Sequence, residues 1–171
     1  MKWLVLAGAI AIAGDVAERD RLMGEFHNLA SRNHWGGVER VYADLTSLKM
    51  DLPPNLHMTA AEAARGEGRI AEARTRYLRA AVELVEAREA LVVLERRFGN
   101  VEIHVKGKRV TALIPSKAPF APDAKAAIEL YHAEVSVNRT FAGWLPVGSY
   151  LLDGTPVEVV PGGARKLIVV E

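Results

Sequence analysis

The chain has 171 residues, half of them apolar and a quarter charged, with 22 Lys and Arg against 21 Asp and Glu. That composition belongs to a folded protein about the size of one domain; it excludes a disordered chain and argues against a nucleic-acid binder, which carries a clustered basic face. Cysteine is absent, so disulfides, thiolate metal sites and cysteine nucleophiles are excluded as well.

At the N-terminus, Lys2 is followed by an uncharged apolar run over residues 3–13 and then by Gly14 and Asp15. A basic start, an apolar run and small residues in that order form a secretory signal. Ala11-Ile12-Ala13 meets the small-x-small rule and predicts a mature chain starting at Gly14. The run falls well short of the roughly 20 apolar residues a membrane helix needs. The expectation is a signal over residues 1–13 and a periplasmic or exported protein with no stable membrane insertion once the signal is removed. If the segment stays attached, it is a buried first helix or strand of a cytoplasmic protein. Gly8 and Gly14 belong to no G-x-G-x-x-G or G-K-[ST] motif, which leaves no nucleotide loop.

Residues 14–98 have helical periodicity and an internal repeat. Gly68-Arg69-Ile70-Ala71-Glu72-Ala73, with Tyr77 and Ala80, is echoed 35 residues earlier by Asn33-His34-Trp35, Val38, Tyr42 and Leu45, while Phe26 and Leu29 stand opposite Ala61 and Ala64. Such spacing places small residues where antiparallel helices cross closely and large ones where they interlock. The pattern resembles the tetratricopeptide repeat, with Asn33 in place of the turn glycine and Val38 in place of a packing alanine. Pro53 and Pro54 mark the joint between the copies. Helices are predicted over residues 17–31, 35–49, 54–66 and 70–97.

The last of these has a seam of Ile70, Ala73, Tyr77, Ala80, Leu84, Ala87, Leu91, Leu94 and Phe98, at alternating steps of three and four with no glycine or proline between them. The seam predicts one continuous helix. Its second half must find an apolar partner beyond the repeat, so Leu91, Leu94 and Phe98 are expected to join the helical half to the C-terminal half. Glu72 and Arg76, at i,i+4, are expected on a solvated helix face.

From residue 99 onward the period changes. Val101, Ile103 and Val105 alternate with polar residues, and Gly107 turns the chain into Val110-Thr111-Ala112-Leu113-Ile114, which predicts a hairpin. Asp123 is the predicted N-cap of a short helix over residues 124–133. Strands are expected from residue 134 to the end, punctuated by Gly143, Gly148, Asp153-Gly154 and Pro161-Gly162-Gly163. The predicted fold class is α+β: an N-terminal antiparallel helical repeat of about two helix pairs, then a small, mostly antiparallel β-domain with one short helix over residues 99–171.

Leu145-Pro146-Val147-Gly148-Ser149-Tyr150 resembles the L-P-x-G-x-Y turn-and-strand signature of PEGA-like β-domains. Ala118-Pro119-Phe120-Ala121-Pro122-Asp123-Ala124 and Phe141-Ala142-Gly143-Trp144 look like segments that accompany it in envelope accessory proteins of predatory and gliding bacteria. The full signature is not met, since no P-E-G-A stretch exists. The resemblance implies a surface or periplasmic accessory domain without catalysis.

None of His27, His34, His57, His104 and His132 has metal-ligand spacing, and no G-x-S-x-G elbow occurs. No catalytic, cofactor or metal residue is therefore assigned, and no cofactor is expected. The tetratricopeptide resemblance implies a concave groove lined by the first helix of each repeat, which points to Met23, His27, Met58, Glu62 and Arg65 as partner-binding residues. Methionines adapt to varied apolar side chains, and Glu62 and Arg65 orient a peptide by charge-assisted hydrogen bonds. The expected function is a non-catalytic protein or peptide-binding scaffold of the cell envelope, with no nucleic-acid partner. Two rivals stand beside it: a homo-oligomeric structural protein assembled through the long helix, and an enzyme with a site between the halves near His104 or His132.

Overall fold

A computed structural model describes residues 3–106, 113–117 and 121–170, with side chains from residue 16 onward. Helix α1 (Trp3–Ser31) precedes α2 (Trp35–Ser47), α3 (Pro54–Gly66) and α4 (Ile70–Ala80). The turns of the two hairpins α1–α2 and α3–α4 match. Asn33 and Gly68 both take left-handed backbone, at φ 55° and 77°. The His34 amide donates to the Leu29 carbonyl at 3.0 Å and, 35 residues on, the Arg69 amide donates to the Ala64 carbonyl at 2.9 Å. Asparagine tolerates that conformation better than other residues with a Cβ, so the spacing of the repeat survives the exchange.

Helix α3 is the hinge of the helical packing because its alanines are small on two sides. Ala60 and Ala63 are buried with Leu22, Phe26, Val38, Val41, Tyr42, Leu45 and Leu56, in a cluster built from α1, α2 and α3. Ala61 and Ala64 are buried in a second cluster with Ile70, Ala73, Tyr77 and Ala80. All four alanines are fully buried, and their short side chains let α3 approach both neighbours closely.

The predicted continuous helix over residues 70–97 is instead two helices. Helix α4 stops at Ala80 and α5 (Val85–Arg97) begins after Leu84, which is extended at φ −100° and ψ 125°. The three-four spacing carries across the break because both helices turn their stripes onto one core. Chain reversal buries both stripes; a straight helix would leave the second bare. The carbonyls freed at the end of α4 find a donor, since the Arg88 guanidinium bonds to the Ala81 oxygen at 2.7 Å and the Val82 oxygen at 3.2 Å.

Strand β1 (Phe98–Val105) follows α5 without a linker. After β2 (Leu113–Pro115) come α6 (Pro122–Asn138), β3 (Thr140–Pro146), β4 (Gly148–Leu152), β5 (Thr155–Val159) and β6 (Gly162–Val170). Two three-stranded sheets result, in the orders β3-β1-β6 and β2-β4-β5. All pairings are antiparallel except β1 with β6. The fold class is the predicted α+β, but the hairpin joining residues 101–105 to 110–114 is not formed as expected. The described part of its second strand, β2, pairs with β4 in the other sheet; Gly107 and residues 110–112 lie outside the described residues. The short helix is also longer than expected: residues 134–138, predicted as strand, continue α6 to Asn138. Its N-cap is Ala121, with Pro122 in the first turn.

The L-P-x-G-x-Y segment is the corner where the chain leaves one sheet for the other. Leu145 and Tyr150 are buried, and the Tyr150 hydroxyl donates to the Pro146 carbonyl at 2.6 Å, closing the corner. Gly148 allows the turn at φ 154°. Tyr131 and Val135 of α6 fill the space between the sheets with Val101, Ile103, Phe141, Leu152 and Ile168. Of the two segments that accompany this signature, the first has Ala118, Pro119 and Phe120 outside the described residues.

Candidate functional site

The surface facing the β-domain is built from the second hairpin. Leu94 and Phe98, at the end of α5 and the start of β1, are buried in one cluster with Ala61, Ala64 and Tyr77 from the helical half and with Ala124, Ala127 and Trp144 from the other, and half-buried Leu91 packs against it. The three residues expected to join the halves do so. Asp123, buried at 8% exposure, fixes the polar rim. Its Oδ1 accepts from Arg97 at 2.6 Å and from the Ala124 amide at 2.9 Å, and Arg65 Nε stands 3.9 Å from Oδ2. A carboxylate at the start of α6 also meets the positive end of the helix dipole.

Three of the five predicted partner-binding residues point into this junction. Met58 packs on the shared cluster. Glu62 accepts a hydrogen bond from the Tyr77 hydroxyl and pairs with Arg65 at 2.5 Å, and Arg65 reaches toward Asp123. Burial and the bond to Glu62 push the Tyr77 hydroxyl far above its ordinary pKa. Met23 and His27 lie elsewhere. Met23 packs on the α1–α2 cluster and lines a shallow hollow with Arg19, Leu52 and Pro53. His27 is exposed, its Nδ1 2.7 Å from the Met23 carbonyl. The five therefore do not share one open groove.

Open surface lies on the other side, between the second helices of the two repeats. A hollow of about 430 Å³ is lined by Tyr42 and Thr46 of α2 and by Ala71, Glu72, Thr75, Arg76 and Arg79 of α4. Arg76 builds its wall. Its guanidinium lies over the Tyr42 ring at 4.4 Å, bonds to the Ala60 carbonyl at 2.7 Å and pairs with Glu39. Expected on a solvated face, Arg76 is only 11% exposed in its side chain. Burial works against ionisation of Glu39, but hydrogen bonds from Arg76 and Arg69 outweigh it and hold its carboxyl below the usual carboxylate range. Arg79 is exposed and pairs with no carboxylate among the described residues. It also lines the adjoining hollow with Thr46, Met50, Leu52 and His57. Burial, then the charges of Arg79 and Arg76, lower the pKa of His57, whose Nδ1 lies 2.8 Å from the Tyr42 hydroxyl.

A smaller cleft of about 180 Å³ separates the halves, between Gly68–Glu72 and Leu130, Glu134 and Phe141–Trp144. His104 and His132, the residues of the enzyme reading, do not line it. His104 bonds to Glu102 at 2.8 Å on the outer face of its sheet, and His132 stacks edge-on to Tyr131. Among the described residues no three His, Asp or Glu side chains gather as a metal site, and no helix is long and apolar enough to cross a membrane. Spacing along the chain does not reveal the Arg76 wall, because its partner Glu39 lies 37 residues away; the signal available is Tyr42, which shares its repeat position with Tyr77, next to Arg76. No family model, curated protein or solved structure matches the chain.

Proposed function

We propose that the chain is a non-catalytic interaction scaffold of the bacterial cell envelope, in which the paired helical hairpins take a short peptide segment and the β-domain braces them. The observation that carries this reading is the open groove between α2 and α4, walled by Arg76 over the buried Tyr42 ring, with exposed hydroxyls at Thr46 and Thr75 and an exposed guanidinium at Arg79. Such a lining suits an extended acidic peptide, because the exposed Arg79 guanidinium can take a carboxylate by charge-assisted hydrogen bonds and the Thr46 and Thr75 hydroxyls can accept from peptide amides. The envelope setting is supported by the basic, apolar and small-residue order of residues 2–14 and by the PEGA-like resemblance of the corner at Leu145-Pro146.

The test uses the full chain in its native host, with a photo-crosslinking amino acid at Thr75 in the groove or, as control, at exposed Lys125 on α6. A discrete adduct is expected from position 75 and not from 125, and it should disappear when Arg79→Glu is added. The same adduct from both positions, or one from 75 that ignores Arg79→Glu, rejects the groove.

A further inference from the structure

Helix α5 has two faces, and the seam residues use only one. Ala87 and Leu94 are buried, while Val85, Glu86, Glu89, Val92, Val93 and Arg96 are exposed. At 100° per residue these six fall within about 120° of one another, opposite the buried stripe. The charged residues beside this stripe have partners: Glu95 with Arg74, Arg97 with Asp123 and Arg88 with two carbonyls. Those on it form no ion pair among the described residues.

The stripe is also self-complementary in order. Glu89 and Arg96 lie seven residues apart, two helical turns, with Val92 and Val93 midway between them. Val92 and Val93 are 47% and 48% exposed. A second copy laid antiparallel about a two-fold axis through the Val92–Val93 midpoint sets each Glu89 against the other copy's Arg96 and the valines against each other. An isologous interface requires this palindrome. The helix dipole accounts for an acidic first turn and a basic last turn. It gives no reason for two exposed valines at the centre of the same stripe.

We propose that two copies of this chain pair through the outer face of α5, antiparallel, with Val92 and Val93 at the two-fold axis and two reciprocal Glu89 to Arg96 ion pairs. The pairing does not depend on the peptide-groove reading, and it uses the opposite face from the Leu84 to Phe98 seam that the sequence suggested for self-association. The contact is small, so the dimer is weak and sensitive to salt.

Sedimentation equilibrium of the full chain from about 1 µM to about 1 mM spans the affinities of small interfaces. The average mass is expected to rise toward twice the monomer's. Glu89→Arg alone sets four arginines at the contact, and Arg96→Glu alone sets four glutamates there; each should weaken dimerisation at least about tenfold. Mixing the two single variants, or combining both changes in one chain, restores opposite charges at both pairs and should restore the dimer. Circular dichroism confirms that the variants fold. A native chain monomeric throughout the range overturns the proposal. So does association that neither swap disturbs, as would follow from another surface, or a mixture of the two variants that stays monomeric.

Discussion

The first and second helical hairpins share a turn but meet different surroundings. The Asn33 turn of α1–α2 has a Cβ and accommodates it, whereas a Cβ at Gly68 would stand 2.4 Å from the backbone of α6 at Ala126 and Ala127. The cluster of the first hairpin contains no residue of the β-half, while that of the second includes Phe98, Ala124, Ala127 and Trp144. A repeat unit defines its own hairpin locally, and its neighbours determine which positions must also be small. The second hairpin is thus a structural part of the β-domain as much as the partner of the first.

The sharpest break of this comparison is a pair of large-to-small changes. Phe26 and Phe98 are both fully buried, one in each cluster, so Phe26→Ala and Phe98→Ala should each cost about 3 to 5 kcal/mol. Their reach differs. Amide exchange in Phe98→Ala should accelerate in α4, α5 and α6 together, while Phe26→Ala should accelerate it chiefly in α1 and α2. Equal spread of both effects through α6 would erase the distinction between the hairpins.

Exchanging the turn residues sharpens it further. Gly68→Ala meets left-handed backbone strain of about 1 to 2 kcal/mol and an overpacking penalty of about 1 to 3 kcal/mol from α6. Gly68→Asn tolerates the backbone angle better but keeps the clash, so it should remain clearly destabilising. Asn33→Gly should shift stability by only about a few tenths of a kcal/mol, since a gain in backbone freedom offsets the relief of strain. Chemical denaturation of the three variants checks the order. Gly68→Asn as stable as the native chain would show that α6 does not press on this turn.

Legibility in the sequence depends on the distance over which each feature is determined. The turn at Asn33, the Pro54 start of α3 and the matching Tyr42 and Tyr77 positions are local, so spacing reveals them. The break between α4 and α5 is hidden because Ala80, Leu84 and Ala87 keep the three-four rhythm through a reversal; the residue that satisfies the freed carbonyls, Arg88, lies beyond it. Strand alternation likewise marks β1 and β2 without revealing that they join different sheets, because the inward and outward pattern is the same with any partner. At the candidate site, the i,i+3 spacing of Glu62 and Arg65 places them on one helix face. That the face meets Asp123 of α6 rests on a contact across the fold. Arg76 reads as a solvent residue for the same reason, because Glu39 and Tyr42 come from the preceding repeat.

The smallest effect tests how the first hairpin balances its own volume. Its turn is followed by Gly37, where a Cβ would lie 2.9 Å from Leu29 Cδ2 and 2.6 Å from His34 Nδ1; the corresponding position of the second hairpin is Glu72, facing a copy in which Leu29 is replaced by Ala64. In sequence, the larger residue of this pair of positions stands on the first helix in one hairpin and on the second helix in the other. Alanine in a helix is favoured over glycine by about 1 kcal/mol, but at Gly37 the crowding by Leu29 should offset that gain or exceed it. Gly37→Ala alone is therefore expected to be neutral or destabilising by about 1 kcal/mol. Leu29→Ala opens the crossing at a cost of its own, and in that background the same Gly37→Ala change should become stabilising by up to about 1 kcal/mol. A double-mutant cycle measured by denaturation isolates the coupling between the two sites. A coupling near zero would mean that His34 alone limits the space at Gly37, and that the apparent exchange with Ala64 and Glu72 is coincidence.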